Sequence, residues 1–439
     1  MIQVIQAAGY FFPDSTGGSE VYVGDLAREL RQLGCESTIL APARDLTAQS
    51  YEWQGLPVHR YPWDHAGDRS IISGARPHLG FDAFLALLER TPAGIYHQHG
   101  WSGGSGLHHL RAARERGMRT VTTVHLSGNV CLAGTMMRMG AQVCDGRIDE
   151  YVCSTCWAVS CKGIPAPIAG PMTRLSRAAA HGGLPFAGGL ARLTAAFDGQ
   201  RDRFEQMVAN SDRIVAVCRW LYDALLLNGV APEKLVLCRQ GVGDAPGAGP
   251  KPPRQPGQAL RVGFLGRYDP IKGLHVLVRA LRRLPAALPI ELCIHGVANG
   301  PAEADYASLI RSSAGADPRI RFVPPVARDR IRDALAGFDV LAVPSQVLET
   351  GPLVVMEAHA AGTPVLGSDL GGISELVTPG DNGWLVAHDS VRDWAAALAR
   401  LCEACDSGAG SMTGWPVRTM RAVAQETIDL YARLLASAR

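Results

Sequence analysis

The sequence predicts an α/β fold built from two doubly wound domains, each with a mostly parallel sheet between layers of helices. Three observations lead to this prediction. Strand-like apolar segments alternate with segments of helical spacing almost throughout the chain. Its length of 439 residues exceeds what one hydrophobic core usually supports. Residues 244–259, rich in proline, glycine and alanine, have the composition of a linker between two such series.

The first series opens with an apolar strand at residues 2–9, and a glycine-bearing loop, residues 16–19, leads into a helix over residues 20–34. Its other predicted strands are ESTILAP, GIYHQHG, RTVTTVH and DRIVAVC, and the second series comprises LRVGFLGR, IELCIHG, IRFVPP, DVLAVPS and PVLGSD. We therefore expect domains at residues 1–245 and 246–415. Ligands in such sheets bind at the carboxyl ends of the strands, so the working site is expected in a cleft between the domains.

The last residues, 416–439, are predicted to form an amphipathic helix. It either packs on the second domain or crosses back to the first, and its periodicity is the same in both cases.

Composition excludes several classes of protein. The chain is 47% hydrophobic and 19% charged, which is ordinary for a globular protein, and its net charge of +2 argues against nucleic-acid binding. The chain contains no run of about 18 apolar residues, the length that would predict a membrane span. The N-terminal segment lacks the charged region of a signal peptide, and the eleven cysteines suggest reduced thiols. A cytoplasmic enzyme is the expectation.

Two glutamates, Glu349 and Glu357, stand on either side of a predicted strand-to-helix junction. The first N–H groups of a helix lack helical partners and lie at the positive end of its dipole, so they suit an anion. Ionised carboxylates accept hydrogen bonds from hydroxyls. A ligand with both phosphates and hydroxyls, such as a nucleotide-sugar, satisfies this pattern. The alternative is two exposed carboxylates that only stabilise the helix dipole.

Two cations, Arg267 and Lys272, lie five residues apart in the loop after the first strand of the second domain, between Gly266 and Gly273. Cations at this place can neutralise a diphosphate that gains charge as its bond to a sugar breaks. Solvated surface cations are the alternative, but the position after a buried strand and between glycines favours a role in binding.

Four segments together resemble family 4 glycosyltransferases of the GT-B fold. They are TGGSEVYVGDLAREL, LGRYDPIKG, ETGPLVVMEA and AAGTPVLGSDLGGISELV, and they cover both predicted domains in the right order and spacing. The resemblance implies two Rossmann-like domains facing across a cleft, a nucleotide-sugar donor and retention of the anomeric configuration. The acceptor hydroxyl would attack on the front face, and the departing phosphate would accept its proton. No Asp-x-Asp pair stands where it could hold a divalent ion, so we expect no catalytic metal.

The resemblance also implies roles for individual residues. Arg267 and Lys272 would stabilise the leaving diphosphate, Glu349 would face the donor sugar, and Glu357 would bind the ribose hydroxyls. Where many relatives have E-x-F-G, this chain has Pro352, which has no N–H to offer a phosphate. The further residues expected to bind the donor are Gly17, Gly18, Gly266, Gly351, Leu353, Val354, Gly371 and Gly372.

Three histidines follow or end predicted strands of the first domain. By resemblance, His125 reaches the donor sugar; a lone histidine is more often a core residue, but the carboxyl end of a strand favours function. His97 and His99 lie near the end of the preceding strand. We expect His97 to be structural and His99 to face the cleft.

An insertion in the first domain, residues 127–205, carries a cysteine cluster like that of some bacterial relatives. Four thiolates match a structural zinc site; an iron–sulfur cluster or merely buried reduced thiols are the alternatives. The Arg-bearing part of the insertion suits either contact with an anionic membrane, where a lipid-linked acceptor waits, or a solvated helical segment. The candidate ligands are Cys131, Cys144, Cys153 and Cys156, with Cys161 as a substitute.

The sequence therefore predicts a retaining glycosyltransferase of polysaccharide or glycoconjugate biosynthesis, cytoplasmic or peripheral at the inner membrane face. It would move a sugar from a nucleotide-diphosphate sugar to a hydroxyl of a glycan, a lipid-linked or a small-molecule acceptor. A GT-B nucleotide-sugar epimerase and a non-catalytic nucleotide- or carbohydrate-binding protein are the alternatives. An NAD-dependent oxidoreductase is disfavoured because no G-x-G-x-x-G follows a strand and opens a helix.

Overall fold

The structure is a computed structural model, and the chain forms two compact units, Met1–Gly243 with Thr419–Arg439, and Asp244–Arg418. We call these the first and the second unit. Most of the predicted linker falls outside the described residues. Those are 1–14, 17–64, 76–92, 94–102, 104–182, 191–243, 257–406 and 415–437, without the side chains at 179–182, 191–194 and 404–406.

The first unit is built around an eight-stranded sheet whose order is β10-β9-β6-β5-β1-β2-β4-β3. Every pairing is parallel except that of β3 with β4. Its strands are β1 (Gln3–Ala7), β2 (Glu36–Pro42), β3 (Gln49–Trp53), β4 (Leu56–Tyr61), β5 (Ile95–Gln98), β6 (Arg119–Val124), β9 (Arg213–Ala216) and β10 (Leu235–Leu237), and a separate hairpin is formed by β7 (Met137–Arg138) and β8 (Gln142–Val143).

Helices cover this sheet and fill the insertion. Those described in the first unit are α1 (Gly18–Gln32), α2 (Phe81–Arg90), α3 (Leu107–Glu115), α4 (Glu150–Lys162), α5 (Ala166–Gly182), α6 (Ala191–Asn210), α7 (Arg219–Leu227) and α14 (Met420–Ala436). The predicted insertion thus consists of the β7–β8 hairpin followed by α4, α5 and α6, with residues 183–190 outside the described part.

The second unit contains a six-stranded, wholly parallel sheet in the order β13-β12-β11-β14-β15-β16. Its strands are β11 (Leu260–Arg267), β12 (Ile290–Val297), β13 (Ile320–Val323), β14 (Val340–Val343), β15 (Val365–Ser368) and β16 (Gly383–Val386). Its described helices are α8 (Leu274–Arg282), α9 (Pro301–Ala314), α10 (Ile331–Ala336), α11 (Leu353–Ala360), α12 (Gly371–Leu376) and α13 (Val391–Asp406).

The strands are short apolar runs because helices cover the sheets on both sides. All four residues of β14 and of β15 are buried, which explains why parallel strands of this kind are continuously apolar rather than alternating. The fold class predicted from the sequence, α/β with parallel sheets, is confirmed.

The C-terminal helix α14 belongs to the first unit. Its residues Val423, Leu430 and Tyr431 share a hydrophobic core with Tyr22 and Leu26 of α1. The Thr419 hydroxyl caps the helix by accepting from the Ala422 N–H at 3.2 Å. The sequence left open whether this helix packs on the second domain or crosses back to the first, and in the structure it packs on the first unit.

Candidate functional site

Lys272 and Glu349 meet at the carboxyl ends of β11 and β14. The Lys272 Nζ lies 2.6 Å from Glu349 Oε1, and the Ser345 hydroxyl donates to the same oxygen at 2.9 Å. Burial by itself would raise the pKa of Glu349, but the charge of Lys272 and the bonds from Lys272 and Ser345 outweigh it and hold that pKa below its ordinary value. The carboxylate is therefore ionised and its orientation is fixed.

The turn that carries Lys272 is built by local sequence. The Asp269 carboxylate accepts from the Ile271 N–H at 3.1 Å and caps the turn formed by Pro270–Lys272. Gly273 follows with φ of +68°, and a Cβ there would collide with the carbonyl oxygen of Pro344. Only glycine fits this place, which brings the turn against the chain segment that follows β14.

Arg267, at the end of β11, is held by two carboxylates. Its guanidinium lies 3.2 Å from Asp269 Oδ2 and donates to Glu303 Oε1 at 2.9 Å, while its side chain is 47% exposed. Asp269 therefore contacts both the Arg267 side chain and the Lys272 turn. Gly266 precedes Arg267 in the strand, and a Cβ there would make only ordinary contacts with Phe264, so packing does not demand glycine at that position.

The loop between β14 and α11 packs against the start of α12. The Gly372 N–H donates to the Glu349 carbonyl at 2.7 Å, and a Cβ on Gly372 would lie 2.5 Å from the Gly351 nitrogen. Gly351 and Gly371 have φ of +116° and +47°, a region that favours glycine. The predicted donor-binding glycines 351, 371 and 372 thus come together with Glu349.

Helix α11 begins at Leu353, with Pro352 as its extended N-cap residue rather than its first helical residue. Leu353 and Val354 occupy the first two helical positions, whose N–H groups have no carbonyl of the helix within reach. Glu357 lies one turn further on, and its Oε1 accepts from Arg328 Nη1 at 3.0 Å. Arg328 belongs to the segment after β13. Glu357, the carboxylate predicted to bind the ribose, is therefore paired with a cation that follows a strand other than β11 and β14.

The first unit has a pocket at the carboxyl ends of β1, β5 and β6. Gly17 is the N-cap of α1 and Gly18 its first residue, and Glu20 of the same helix turn is 7% exposed. His99 and His125 directly follow β5 and β6, with His99 Nδ1 3.1 Å from His125 Nε2. The lining residues include Tyr10, Glu20, His99, Trp101, His125 and Asn129.

The histidines of this region are held neutral by burial. Burial lowers the pKa of His97 to about 3 and of His125 to about 4, and that of His99 well below its ordinary value, with the neighbouring imidazoles adding to the shift for His97 and His99. His97 bonds to Tyr431 and Thr123 inside the core, whereas His99 and His125 line the pocket.

Two family descriptions match the chain. "Glycosyl transferase 4-like domain" matches residues 17–241, more than half of the chain, and "Glycosyl transferases group 1" matches residues 259–404. The chain belongs to the glycosyltransferase 4-like family. The resemblance identified from the sequence is thereby confirmed.

Individual relatives of this glycosyltransferase 4-like chain support the same fold. A D-inositol 3-phosphate glycosyltransferase from Rhodococcus jostii is 36% identical over 210 residues, which are 45% of this chain and 46% of that protein. The chain thus spans about half the length of the curated relatives it matches. Sucrose-phosphate synthase from Thermosynechococcus elongatus has a TM-score of 0.65 at 18% identity, with 100% of both chains covered. HepE from Anabaena, in complex with UDP-glucose, has a TM-score of 0.61 at 14% identity, with 99% and 100% covered. The GT-B fold is confirmed.

The zinc site predicted in the insertion gains no support. Among the described residues, no group of three or more histidine, cysteine or acidic side chains is placed to hold a metal ion. Cys131 and Cys156 accept backbone N–H bonds from Met136 and Met139 at 3.4 and 3.1 Å, and burial raises the pKa of Cys153 to about 11. Cys144 is half-buried and Cys161 exposed.

Several residues at these sites were not found from the sequence. Ser345, Glu303 and Arg328 each bond a predicted residue, but they lie 4, 36 and 29 positions away from it in the chain. Pattern alone connects only residues that are close in sequence, which explains why Glu303 and Arg328 were missed but not why Ser345 was. The one local signal was Asp269 before a proline, a typical start of a capped turn.

Proposed function

We propose that the chain is a retaining glycosyltransferase that moves a sugar from a nucleotide-diphosphate sugar to an acceptor hydroxyl. The observation that carries the proposal is the Lys272–Glu349 pair, which joins a cation and an ionised carboxylate at neighbouring strand ends. The cation suits a phosphate, and the carboxylate suits a sugar hydroxyl. Relatives named as glycosyltransferases and a neighbour bound to UDP-glucose support the same class of donor.

In the proposed reaction, the bond between the anomeric carbon and the phosphate oxygen breaks, and negative charge collects on the diphosphate. Lys272 and Arg267 take up that charge, together with the N–H groups of Leu353 and Val354. Two cations supply what a divalent ion would supply elsewhere, so we propose that no catalytic metal takes part. The acceptor oxygen then bonds to the anomeric carbon on the face that the phosphate leaves, and its proton passes to the phosphate.

Glu349 and Glu357 would accept hydrogen bonds from hydroxyls of the donor. Because Lys272 and Ser345 both bond Oε1 of Glu349, the carboxylate is oriented before the ligand arrives. Glu357 is the proposed partner of the ribose hydroxyls, and Arg328 orients that carboxylate by donating to its Oε1. Preorganised groups bind without spending free energy on ordering side chains.

The pocket of the first unit is the proposed place for the acceptor and for one side of the donor sugar. Glu20, Trp101 and Asn129 offer a carboxylate, an aromatic face and an amide, which is a set suited to sugars. Neutral His125 contributes a polar ring without charge. A nucleotide-sugar epimerase, by contrast, would turn over its donor without any acceptor, and a binding protein would not turn it over at all.

Nucleotide binding is expected to raise the melting temperature. At 100 times its Kd a ligand stabilises the native state by about 2.7 kcal/mol, which a thermal-shift screen of nucleotide-sugars and nucleoside diphosphates would detect. Arg267→Ala should reduce the shift. The matched control is Arg321→Ala, since Arg321 is likewise an exposed arginine of the second unit paired with a glutamate, Glu291. If no nucleoside diphosphate moves the melting temperature of the unchanged protein, the proposed donor site is wrong.

We also propose that the insertion touches an anionic membrane that holds a lipid-linked acceptor. Helix α5 turns Ile168 and Leu175, seven residues apart and 52% and 55% exposed, toward solvent. Arg174, the chain neighbour of Leu175, and Lys162, at the end of α4, are also exposed. Apolar side chains with flanking cations are the pattern of a helix lying at a bilayer surface. None of the described helices is long and apolar enough to cross a membrane.

Vesicle flotation tests this contact. The protein should float with vesicles of phosphatidylglycerol and phosphatidylcholine, less with phosphatidylcholine alone, and Leu175→Asp should reduce the floating fraction. Leu309→Asp is the matched control, because Leu309 is also 55% exposed on a helix but belongs to α9 in the second unit. Equal flotation of the two variants would contradict the proposed surface.

A further inference from the structure

A buried hydrogen-bonded network leads from the pocket histidines to the C-terminal helix. Gln6 on β1 is its centre: its amide oxygen lies 2.7 Å from His99 Nε2, and its amide nitrogen donates to the Tyr431 hydroxyl at 3.3 Å. His99 in turn bonds His125 through Nδ1 at 3.1 Å. Gln6 and Tyr431 are both 0% exposed, so water does not compete for these bonds.

A second arm continues from Tyr431. Its hydroxyl lies 2.6 Å from His97 Nδ1, and His97 Nε2 lies 2.7 Å from the Thr123 hydroxyl. His97, on β5, is therefore bonded to the C-terminal helix through Tyr431 and to β6 through Thr123. His97 and Thr123 are 1% and 0% exposed.

The direction of every bond in the network follows from the orientation of the Gln6 amide. Its NH₂ group donates to the Tyr431 oxygen, so the single phenol proton goes to His97 Nδ1. His97 is neutral and must then carry its own proton on Nε2, which donates to Thr123. The network therefore has one polarity along this arm.

The same orientation fixes the pocket arm. The Gln6 carbonyl accepts the proton of His99 Nε2, so neutral His99 has a lone pair on Nδ1. That lone pair accepts from His125 Nε2–H, which makes Nδ1 the unprotonated nitrogen of His125. The opposite polarity requires the amide to rotate and both pocket histidines to move their protons to Nδ1.

We propose that Tyr431, from the C-terminal helix, is a positioning residue that acts through Gln6 to fix the tautomer and ring orientation of His99 and His125 in the pocket. The hydrogen bond at one imidazole nitrogen determines which of the two nitrogens carries the proton. Here Gln6 makes that bond to His99 Nε2, and Tyr431 in turn fixes the orientation of the Gln6 amide. Because burial keeps the pKa of all three histidines low, the rings act as fixed dipoles and not as proton carriers at neutral pH.

The test uses ¹⁵N NMR of the imidazole nitrogens in the full-length protein labelled at histidine. In the unchanged protein, His97, His99 and His125 should each be protonated on Nε2. Tyr431→Phe removes one hydroxyl, which frees the Gln6 amide to rotate, so His99 and His125 should show averaged or doubled nitrogen shifts. Protonation of His99 or His125 on Nδ1 in the unchanged protein would overturn the proposal, as would unaltered tautomers in Tyr431→Phe.

A matched variant separates this effect from a general loss of packing. Thr427→Val removes another buried hydroxyl from α14, one that donates only to its own helix at the Val423 carbonyl, 2.7 Å away. It should leave the imidazole shifts of the pocket histidines unchanged. If Thr427→Val and Tyr431→Phe alter the shifts alike, the effect belongs to helix packing and not to the network.

The kinetic consequence rests on the proposed function. With a donor identified by thermal shift, Tyr431→Phe should lower kcat by about 3- to 30-fold, with a smaller change in KM, because the pocket is formed but its rings are no longer fixed. Averaged tautomers with an unchanged kcat would overturn the link between network and reaction. Absence of turnover in the unchanged protein would instead contradict the glycosyltransferase proposal and leave the NMR result standing.

Discussion

Lys272→Ala should lower the turnover number by about 10²- to 10³-fold, the range observed when one preorganised donor to a developing negative charge is removed. Donor binding should weaken far less. The ground-state diphosphate still has Arg267 and the first N–H groups of α11, whereas the charge that appears as the sugar leaves has lost one of its two proposed cations. Steady-state kinetics with the donor found by thermal shift would measure both quantities.

The same substitution also affects folding, and a second variant separates the two effects. Without Lys272, Glu349 is a carboxylate with 15% of its side chain exposed and without its closest cation, so the melting temperature should fall. In the double variant Lys272→Ala/Glu349→Gln, the charge is absent and stability should return, while turnover should stay below that of Glu349→Gln alone. Recovery of turnover in the double variant, or an unchanged rate in the single one, would remove Lys272 from the reaction.

Stability should fall steeply as the pH drops below about 6.5, the ordinary histidine value. Burial lowers the pKa of His78 and His125 to about 4, of His97 to about 3, and of His99 and His109 well below the ordinary value. Below pH 6.5 the unfolded chain binds a proton at each site that the folded chain does not bind. Each histidine then removes about 1.4 kcal/mol of stability per pH unit until its folded pKa is reached.

Calorimetry between pH 5 and 8 would measure this dependence. The melting temperature should be level above pH 7 and decline below it, and His97→Gln should reduce the slope by one proton even though it lowers stability overall. Glu349 acts in a separate window: its folded pKa is depressed, so its contribution is present above the ordinary carboxyl range and is lost only as the pH falls through the folded pKa. A melting temperature that is level from pH 8 to 5 would show that these histidines are not held neutral.

Most of the parallel strands, β11 and β14 among them, were predicted because each is a short apolar run, whereas β10 and β16 were not found. The β3–β4 hairpin was not found. Its turn contains Gln54 and Gly55, both with positive φ (48° and 79°), and glutamine is not among the residues typical of such turns. The strand β3 is also largely exposed, so it lacks the apolar run that marks its neighbours.

The residues of the site likewise divide into those that a local motif predicts and those that it does not. Glu349, Lys272 and Gly372 stand in motifs, and the structure brings all three together. Glu303, which pairs with Arg267, and Arg328, which pairs with Glu357, come from other strand ends, and no spacing in the chain predicts such pairs. The cysteine spacing predicted a metal site, yet the described fold does not place three ligands around one point. Spacing constrains which residues can approach each other but leaves the directions of their side chains open.

The return of α14 to the first unit has a consequence for protein synthesis. The first unit is synthesised in two separate parts, because the whole second unit is translated between Gly243 and Thr419. Until α14 emerges, the apolar face of α1 with Tyr22 and Leu26 lacks its cover. The second unit can therefore finish folding before the first one does. The nascent chain exposes that face of α1 to chaperones for the time needed to translate about 175 residues, on the order of 10 to 35 seconds.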